Sequence, residues 1–316
     1  IEIARGTVHG ERLSQARLET PELRWTETDI STEDLLLKLA DGKVDYVVTD
    51  SIHISVAKNF YSNLGVAMSL GKENTKAWAL SLREEPELQK KIEKFFKRIE
   101  EDGTLNRLID RYYGHIQRLG QENVNKFLEK TNTFLPTIRN YFYQAEEITK
   151  IDWRLIAALS YQESHWDRKA TSFTNVRGIM MLTKATAERM KVTDRLDARQ
   201  NILAGARYLL ILKNTLPSRI VEPDRTWIAL AAYNQGYGHI EDARILAQRM
   251  NLSPDLWVDL KKSLPLLSHR RHFENLKYGY ARGGEAVYLT ESVRAYYDIL
   301  KKYESPYNQM PHLQKQ

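Results

Sequence analysis

The sequence predicts two domains of different class, an α/β domain over residues 1–115 and a mainly α domain over residues 141–316, joined by residues 116–140. The chain has 316 residues, a length that suits two domains. Strand-like and helix-like segments alternate in the first part, which is typical of a parallel α/β sheet. From residue 116 onward the strand signals stop and apolar residues recur at spacings of three and four, which indicates helices.

The composition is that of a globular protein, with 42% hydrophobic and 28% charged residues, and it argues against a collagen, a disordered chain or a membrane bundle. No stretch approaches about 18 consecutive apolar residues, the length that spans a bilayer. The sequence contains no cysteine, which excludes disulfides, thiol nucleophiles and cysteine-based metal sites. Neither a metal site nor a cofactor is predicted.

The positive charge belongs to the second part of the chain. Residues 1–115 hold 17 basic and 20 acidic residues (17 − 20 = −3), the rest hold 30 and 21 (30 − 21 = +9), and the two sum to the net charge of +6. The basic residues are scattered among acidic ones, which predicts a solvated surface rather than a nucleic-acid groove. The charge remains compatible with a polyanionic substrate.

The first part alternates strand and helix patterns. A short strand is predicted at 1–7, a helix at 33–39, a buried β-branched strand at 44–49 and a further strand at 76–81. Amphipathic helices are predicted across 86–113, broken at the Asp-Gly-Thr of 102–104. We interpret this order as the parallel sheet of an α/β domain.

Four segments in order, G-T, L-A-D-G-K-V-D-Y-V-V-T-D-S, W-A-L and E-E-D-G-T-L-N-R-L-I-D-R-Y-Y-G, resemble the later portion of an extracytoplasmic (periplasmic) amino-acid-binding domain. The resemblance implies that Gly6 and Thr7, at a helix N-terminus, hold a ligand carboxylate and that Asp50 holds an amino group, so an amino acid or muropeptide is the implied ligand. A turn at Gly6 and a helix cap at Asp50 explain the same residues without a ligand. That family has a first lobe ahead of this segment, so an incomplete cleft is expected.

The second part is predicted to be helical almost throughout. Prolines 217, 223, 254 and 265 mark breaks between helices. The predicted helices cover 124–128, 137–145, 152–161, 184–190, 197–212, 224–233, 239–250 and 285–302.

One helix in this part ends in a carboxyl group. Asp152 is predicted to cap a helix, W-R-L-I-A-A-L-S-Y-Q-E-S-H-W, that is apolar on most sides and therefore central. A carboxyl group next to apolar surface has a raised pKa, so Glu163 is a candidate general acid. Taken alone, an ordinary surface glutamate is the more common explanation.

Three further motifs follow Glu163: G-I-M-M-L-T at 178–183, A-A-Y-N-Q-G at 231–236 and G-G-E-A-V-Y at 283–288. In this order they resemble the lytic transglycosylases whose catalytic domain is similar to goose-type lysozyme, and the resemblance extends over nearly the whole chain. It implies peptidoglycan glycan strands as substrate, no cofactor, and a periplasmic enzyme attached peripherally to the outer membrane of a Gram-negative cell.

The same resemblance implies roles for individual residues. Glu163 matches the single catalytic acid/base and Ser164 the hydroxyl beside it. Met180 matches a substrate-lining Met of the family's G-L-M-Q motif. Ile179 and Met181 replace the Leu and Gln of that motif, so the contact made by the Gln is not carried over. Met181 is kept as a candidate substrate contact. The remaining implied substrate contacts are Tyr233 and Asn234 of the A-Y-N motif and Tyr288, near the catalytic carboxyl.

Glycosidases normally place two carboxylates around the scissile bond. Here only Glu163 falls in a motif, and Asp167 is predicted to be a surface or capping residue. One carboxyl group is sufficient if the C6 hydroxyl of the muramyl sugar attacks C1 and closes a 1,6-anhydro ring. Two alternatives stay open, a hydrolytic muramidase and a non-catalytic sensor of amino acids or cell-wall peptides.

Two other clusters are given a structural interpretation. His269 and His272 have no evident third partner, and catalytic zinc needs three protein ligands. The tyrosines at 278, 280, 288, 296 and 297 are predicted to be mostly core, although some of them are suited to line a glycan groove because tyrosine has an apolar face and a polar tip.

Overall fold

The computed structural model describes residues 1–61, 63–71, 78–80, 86–115 and 119–307. The chain divides into two compact units, Ile1–Val124 (unit 1) and Asn125–Gln316 (unit 2). The division lies inside the segment 116–140 that was predicted to connect two domains. The predicted boundaries at 115 and 141 themselves stay predictions.

Unit 1 contains a small parallel sheet flanked by helices. Strand β1 (Glu2–Ala4) pairs with β2 (Thr26–Thr28), and Ile3 lies opposite Glu27. Parallel pairing requires a crossover, which α1 provides. The helices are α1 (Val8–Ala16), α2 (Thr32–Ala40), α3 (Ser51–Lys58), α4 (Pro86–Glu101) and α5 (Thr104–Tyr113).

The sheet is smaller than the sequence predicted. The strand expected at 44–49 is reduced to one parallel bridge between Val47 and Glu2, because the segment exchanges backbone hydrogen bonds with β1 only at Glu2, through Tyr46 and Val48. At 78–80 the backbone is not in a strand and Trp78 is 66% exposed, while residues 76, 77 and 81 lie outside the described residues. Strand β2 was not predicted, since T-E-T carries no apolar alternation.

Unit 2 is mainly helical, as predicted. Helix α6 (Gln121–Thr133) crosses the division between the units. The helices that follow are α7 (Arg139–Thr149), α8 (Trp153–Ser164), α9 (Lys184–Arg189), α10 (Ala198–Thr215), α11 (Asp224–Gln235), α12 (Tyr237–Arg249), α13 (Trp257–Ser263), α14 (Arg270–Phe273) and α15 (Gly283–Tyr303), with 3₁₀ turns at Leu135–Thr137 and Leu264–Ser268. Within the described ranges, none of the helices combines the length and apolar character needed to cross a bilayer.

Helix α8 lies at the centre of unit 2, packed against α7 and α15. Its residues from Leu155 to Tyr161 are all buried, which agrees with the apolar character of the sequence on most sides of the helix. A helix apolar on all sides is stable only when neighbouring helices cover it. The long helix α15 provides the largest part of that cover.

Helices α8 and α15 run antiparallel. At one end, the indole N–H of Trp153 donates to the carbonyl of Ser305 at 3.2 Å. Less than one turn before the end of α8, the ring of Tyr161 meets that of Tyr296 with centroids 4.9 Å apart. These contacts place Tyr296, in the C-terminal half of α15, beside the last turn of α8, and the N-terminal half of α15 extends beyond the end of α8.

Asp152 anchors the start of α8. Its carboxylate accepts from the backbone N–H of Arg154 at 2.9 Å, forms an ion pair with the Arg154 guanidinium at 2.7 Å, and accepts from the Tyr297 hydroxyl at 2.8 Å. Burial opposes ionisation, but these partners outweigh it and hold the pKa of Asp152 below its ordinary value. One side chain thus caps α8 and joins it to α15.

We expect Asp152→Ala to lower the free energy of unfolding by about 1–3 kcal/mol, because it removes a helix cap and leaves a half-buried guanidinium without its partner. Tyr297→Phe, which deletes one of the hydrogen bonds, is the control and should cost about 1 kcal/mol. Since the folded pKa of Asp152 lies below the unfolded one, this stabilisation is present above about pH 4 and is lost as the pH falls further. Urea unfolding at pH 3 and pH 7 measures both effects, and equal losses for Asp152→Ala at the two pH values would contradict the account.

Candidate active site

The end of α8 carries Glu163 on its last turn. The helix stops because His165 and Trp166 adopt left-handed backbone angles, with φ of 52° and 58°. The Trp166 indole then folds back, fully buried, and donates to the carbonyl of Ala157 at 2.9 Å. These contacts hold the last turn of α8 in one position and with it the Glu163 side chain.

Glu163 is partly accessible although protein atoms surround its carboxyl group. Desolvation raises the pKa of Glu163 to about 8. Among the described residues, no ion pair or hydrogen bond to the carboxyl group opposes that shift, and no neighbouring carboxylate adds to it. With a pKa of about 8 the group is mostly protonated at pH 7, and the general-acid role of Glu163 stays a prediction.

Two serines of α8 hold a neighbouring loop. The hydroxyls of Ser160 and Ser164 both donate to the carbonyl of Ile179, at 3.1 and 2.8 Å. Ser164 thus uses its proton within the protein and offers only lone pairs to a ligand. The predicted hydroxyl beside Glu163 is present, and its first effect is to fix the loop that contains Met180 and Met181.

Asn201 of α10 holds the same loop from the other side. Its amide oxygen accepts from the N–H of Met180 at 2.7 Å, and its amide nitrogen donates to the carbonyls of Arg177 and Arg195 at 3.1 and 2.8 Å. The approach is close enough that a Cβ on Gly178, whose φ is +81°, would lie 2.0 Å from the Arg195 carbonyl oxygen. Sequence reasoning missed Asn201, and the available signal was a polar residue within the apolar run N-I-L-A-G-A.

The two methionines of the loop face different surroundings. Met180 is fully buried and packs so closely on Gly205 of α10 that a Cβ there would come within 2.7 Å of its terminal methyl. Met181 has a φ of 48° and is partly exposed. In this arrangement Met180 contributes its backbone to the site, and Met181 is the methionine whose side chain reaches the surface.

Tyr233 connects the loop to α11. Its hydroxyl donates to the carbonyl of Met180 at 2.8 Å, and its ring packs against Tyr208 with centroids 5.5 Å apart. Burial, and then the charges of Glu163 and Tyr208, raise the pKa of Tyr233 well above its ordinary value. The phenol is therefore neutral and close enough to Glu163 to sense its charge.

The remaining predicted residues lie at the surface. Asn234 follows Tyr233 at the end of α11, is exposed, and accepts from the Gln235 amide at 2.8 Å. Tyr288 is 49% exposed on the second turn of α15. Asp167 is exposed and caps a turn by accepting from the N–H of Lys169 at 2.8 Å.

In unit 1 the predicted ligand residues lie at two helix starts. Gly6 has a φ of +73°, and Thr7 precedes α1 and donates its hydroxyl to the carbonyl of Ala4 at 2.7 Å. Asp50 precedes α3 without a side-chain cap bond, 3.8 Å from His9 and 3.4 Å from His53. Since His9 belongs to the first turn of α1, it brings Asp50 towards the Thr7 end of that helix.

No metal centre is evident in the described ranges, where no three histidine, aspartate or glutamate side chains converge as ligands. His272 accepts from the Arg271 guanidinium at 3.0 Å. The site of unit 2 is thus an isolated protonated carboxyl group beside a fixed loop, a neutral phenol and exposed polar side chains.

We expect Glu163→Gln to raise the free energy of unfolding at pH 7 by about 2 kcal/mol, because the folded chain no longer holds an acid with a raised pKa. The pKa of Glu163 in the folded chain lies above the ordinary value of about 4.3. The parent chain therefore begins to lose stability relative to the variant as the pH rises through about 4, and the loss is complete above about 8. Urea unfolding from pH 4 to 9 measures this. Glu129→Gln, at an exposed position on α6, is the control, and parallel pH profiles for the parent and Glu163→Gln chains would contradict the prediction.

Comparison with known proteins finds a family domain in unit 2 and relatives that match nearly the whole chain. Residues 140–253 match the family described as Transglycosylase SLT domain. Membrane-bound lytic murein transglycosylase F of Nitrosospira multiformis is 64% identical over 98% of this chain and 64% of that protein, and the protein of the same name from Methylobacillus flagellatus is 53% identical over 96% and 65%. This chain spans a little under two thirds of these relatives.

Among solved structures, the 70 kDa soluble lytic transglycosylase of Escherichia coli aligns with a TM-score of 0.43 and 16% identity, over 92% of this chain and 45% of that one. That overlap is too loose to support an argument, so the assignment rests on the sequence matches. They confirm the resemblance predicted from the four motifs. Nearly the whole chain is similar to the membrane-bound lytic murein transglycosylases F, and its residues 140–253 match the transglycosylase SLT domain.

Proposed function

We propose that this chain is a peptidoglycan lytic transglycosylase that cleaves the β-1,4 bond between N-acetylmuramic acid and N-acetylglucosamine and leaves a 1,6-anhydromuramyl end. The observation that carries the proposal is Glu163, a single carboxyl group whose pKa is raised to about 8 by burial and which has no second carboxylate beside it among the described residues. A hydrolase of the usual kind needs two such groups. The names of the relatives supply the substrate class.

Glu163 acts twice in this mechanism. Its protonated carboxyl group first donates a proton to the glycosidic oxygen as the C1–O bond breaks, while the muramyl N-acetyl group stabilises the cationic C1. The resulting carboxylate then takes the proton of the C6 hydroxyl, whose oxygen bonds to C1 and closes the anhydro ring. No water is consumed, and Glu163 returns to its protonated form.

The surrounding residues are assigned positioning and binding roles. The neutral Tyr233 hydroxyl donates to Met180, which leaves its lone pairs directed to the protonated Glu163 or to a sugar hydroxyl. Ser164 holds the loop and can accept from the substrate. Met181, Asn234 and Tyr288 provide the exposed side chains for the glycan, whereas Met180 acts through its backbone.

Mass spectrometry of purified peptidoglycan digested by the chain and by its Glu163→Gln variant tests the proposal. We expect anhydromuramyl products from the parent chain and a loss of at least about a thousandfold in the variant, since no other group supplies the proton. Products one water heavier would indicate a hydrolytic muramidase instead. An absence of products from both chains would favour a non-catalytic sensor.

The same assay has a pH dependence with a defined sign. Glu163 must be protonated before the reaction, and burial raises its pKa to about 8. The proton donor is therefore present at pH 7, and its loss lowers kcat/KM as the pH rises above about 8.

We also propose that the enzyme works in the cell envelope, in the periplasm and in peripheral contact with the outer membrane. The support is the term "membrane-bound" in the names of its relatives, together with its implied substrate. Fractionation of cells that produce this protein tests the location. Recovery in the cytosolic fraction would contradict it.

Unit 1 is proposed to bind a regulatory amino acid or muropeptide through Gly6, Thr7 and Asp50. The support is that the His9 imidazole, in the first turn of α1, lies 3.8 Å from the Asp50 carboxylate. Calorimetric titration with free amino acids and with muropeptides should detect binding that Asp50→Ala weakens about tenfold, because it removes a charged partner. Asp45→Ala, an exposed aspartate of the same unit, is the control. A bound ligand that leaves the cleavage rate unchanged would rule out the regulatory role.

A further inference from the structure

Two exposed tyrosines precede α15 in unit 2 and belong to none of the catalytic motifs. Tyr278 and Tyr280 are 49% and 56% exposed, although tyrosine usually buries most of its ring. Gly279 between them has a φ of +77°, a left-handed conformation that glycine adopts without strain. The backbone therefore turns between the two rings, and we name the pair the tyrosine platform.

A buried carboxylate holds this platform in place. Asp242 of α12 is fully buried and accepts from the backbone N–H groups of Lys277 and Tyr278, at 3.1 and 2.7 Å. The Tyr278 ring also lies against Gly238, where an added Cβ would come within 2.6 Å of it. A charged group committed to two loop amides fixes the loop, so the exposed rings are preorganised rather than free.

The platform lies close along the chain, or in contact, to residues that adjoin two of the predicted catalytic motifs. Gly238, which contacts Tyr278, comes four residues after Asn234 and five after Tyr233, the residue that senses the charge of Glu163. Along the chain, the platform is followed after two residues by Gly283, the first residue of α15. Tyr288, one of the predicted substrate contacts, lies on the second turn of that helix.

The surface has the chemistry of a glycan-binding site. A pyranose ring presents C–H groups on its faces and hydroxyls around its edge, so it packs on an aromatic ring while its hydroxyls reach polar partners. Phe273 extends the apolar surface by meeting Tyr280 edge to face, with centroids 5.7 Å apart. The segment 270–285 has four basic residues against two glutamates (4 − 2 = +2), which suits an anionic strand.

We propose that Tyr278 and Tyr280 form a glycan-binding platform on which sugar rings flanking the cleaved bond of a peptidoglycan strand stack. The platform holds the strand while Glu163 acts on one bond. This inference rests on the proposed function, because it takes the substrate class from it.

Co-sedimentation with purified peptidoglycan sacculi tests the platform without cleavage, in the Glu163→Gln chain. We expect Tyr278→Ala and Tyr280→Ala each to weaken binding about fivefold, which is the effect of removing one aromatic contact. Tyr278→Phe and Tyr280→Phe keep the ring and should stay within about twofold of the unsubstituted affinity. In the cleaving chain, the alanine changes should mainly raise KM.

Tyr303→Ala is the matched control, since this tyrosine is 46% exposed on the opposite end of α15, and it should alter neither binding nor cleavage. Unchanged unfolding midpoints establish that the variants fold. Unchanged binding by both alanine variants, or no sedimentation of the Glu163→Gln chain, would overturn the platform. If the parent chain cleaves nothing but still binds sacculi through the two tyrosines, the proposed function is overturned and the platform is not.

Discussion

The enclosure of α8 by apolar side chains is the constraint on which the site depends. The helix is buried from Leu155 to Tyr161, and a helix apolar on most sides lowers its free energy only when other helices cover it. The antiparallel α15 supplies much of that cover. The same burial that stabilises the helix removes water from the carboxyl group on its last turn, so packing and the raised pKa of Glu163 have one physical cause.

Polar groups then decide where the neighbouring loop lies. The carbonyl of Ile179 accepts from two serines of α8, and Asn201 satisfies three backbone groups from α10. Buried backbone groups without such partners are costly. The loop is therefore held between two helices, and Tyr233 is attached to it through the carbonyl of Met180. These hydrogen bonds, rather than the loop's own conformational preference, fix where the loop lies relative to the end of α8 that carries Glu163.

The two units differ in how they carry polar residues. In unit 2, charged side chains such as Asp152 and Asp242 are committed to backbone amides that fix helix ends and loops. In unit 1, Asp50 faces His9 and His53 rather than capping α3. Unit 2 thus uses these carboxylates to fix its backbone, whereas Asp50 of unit 1 lies among histidine side chains.

The sequence by itself determined the helical character of unit 2, the central position of α8 and the candidacy of Glu163, because apolar spacing and the Asp152 cap are local signals. It also identified the family through four ordered motifs. It overestimated the sheet at 44–49, since a β-branched run becomes a strand only where a neighbouring strand bonds to it, and here only Glu2 of β1 does so. Tertiary structure alone decided that Met180 is buried while Met181 is partly exposed, that Asn201 holds the loop, and that Tyr278 and Tyr280 are exposed on a fixed turn. Each of these depends on contacts between residues far apart in the chain, which no local pattern contains.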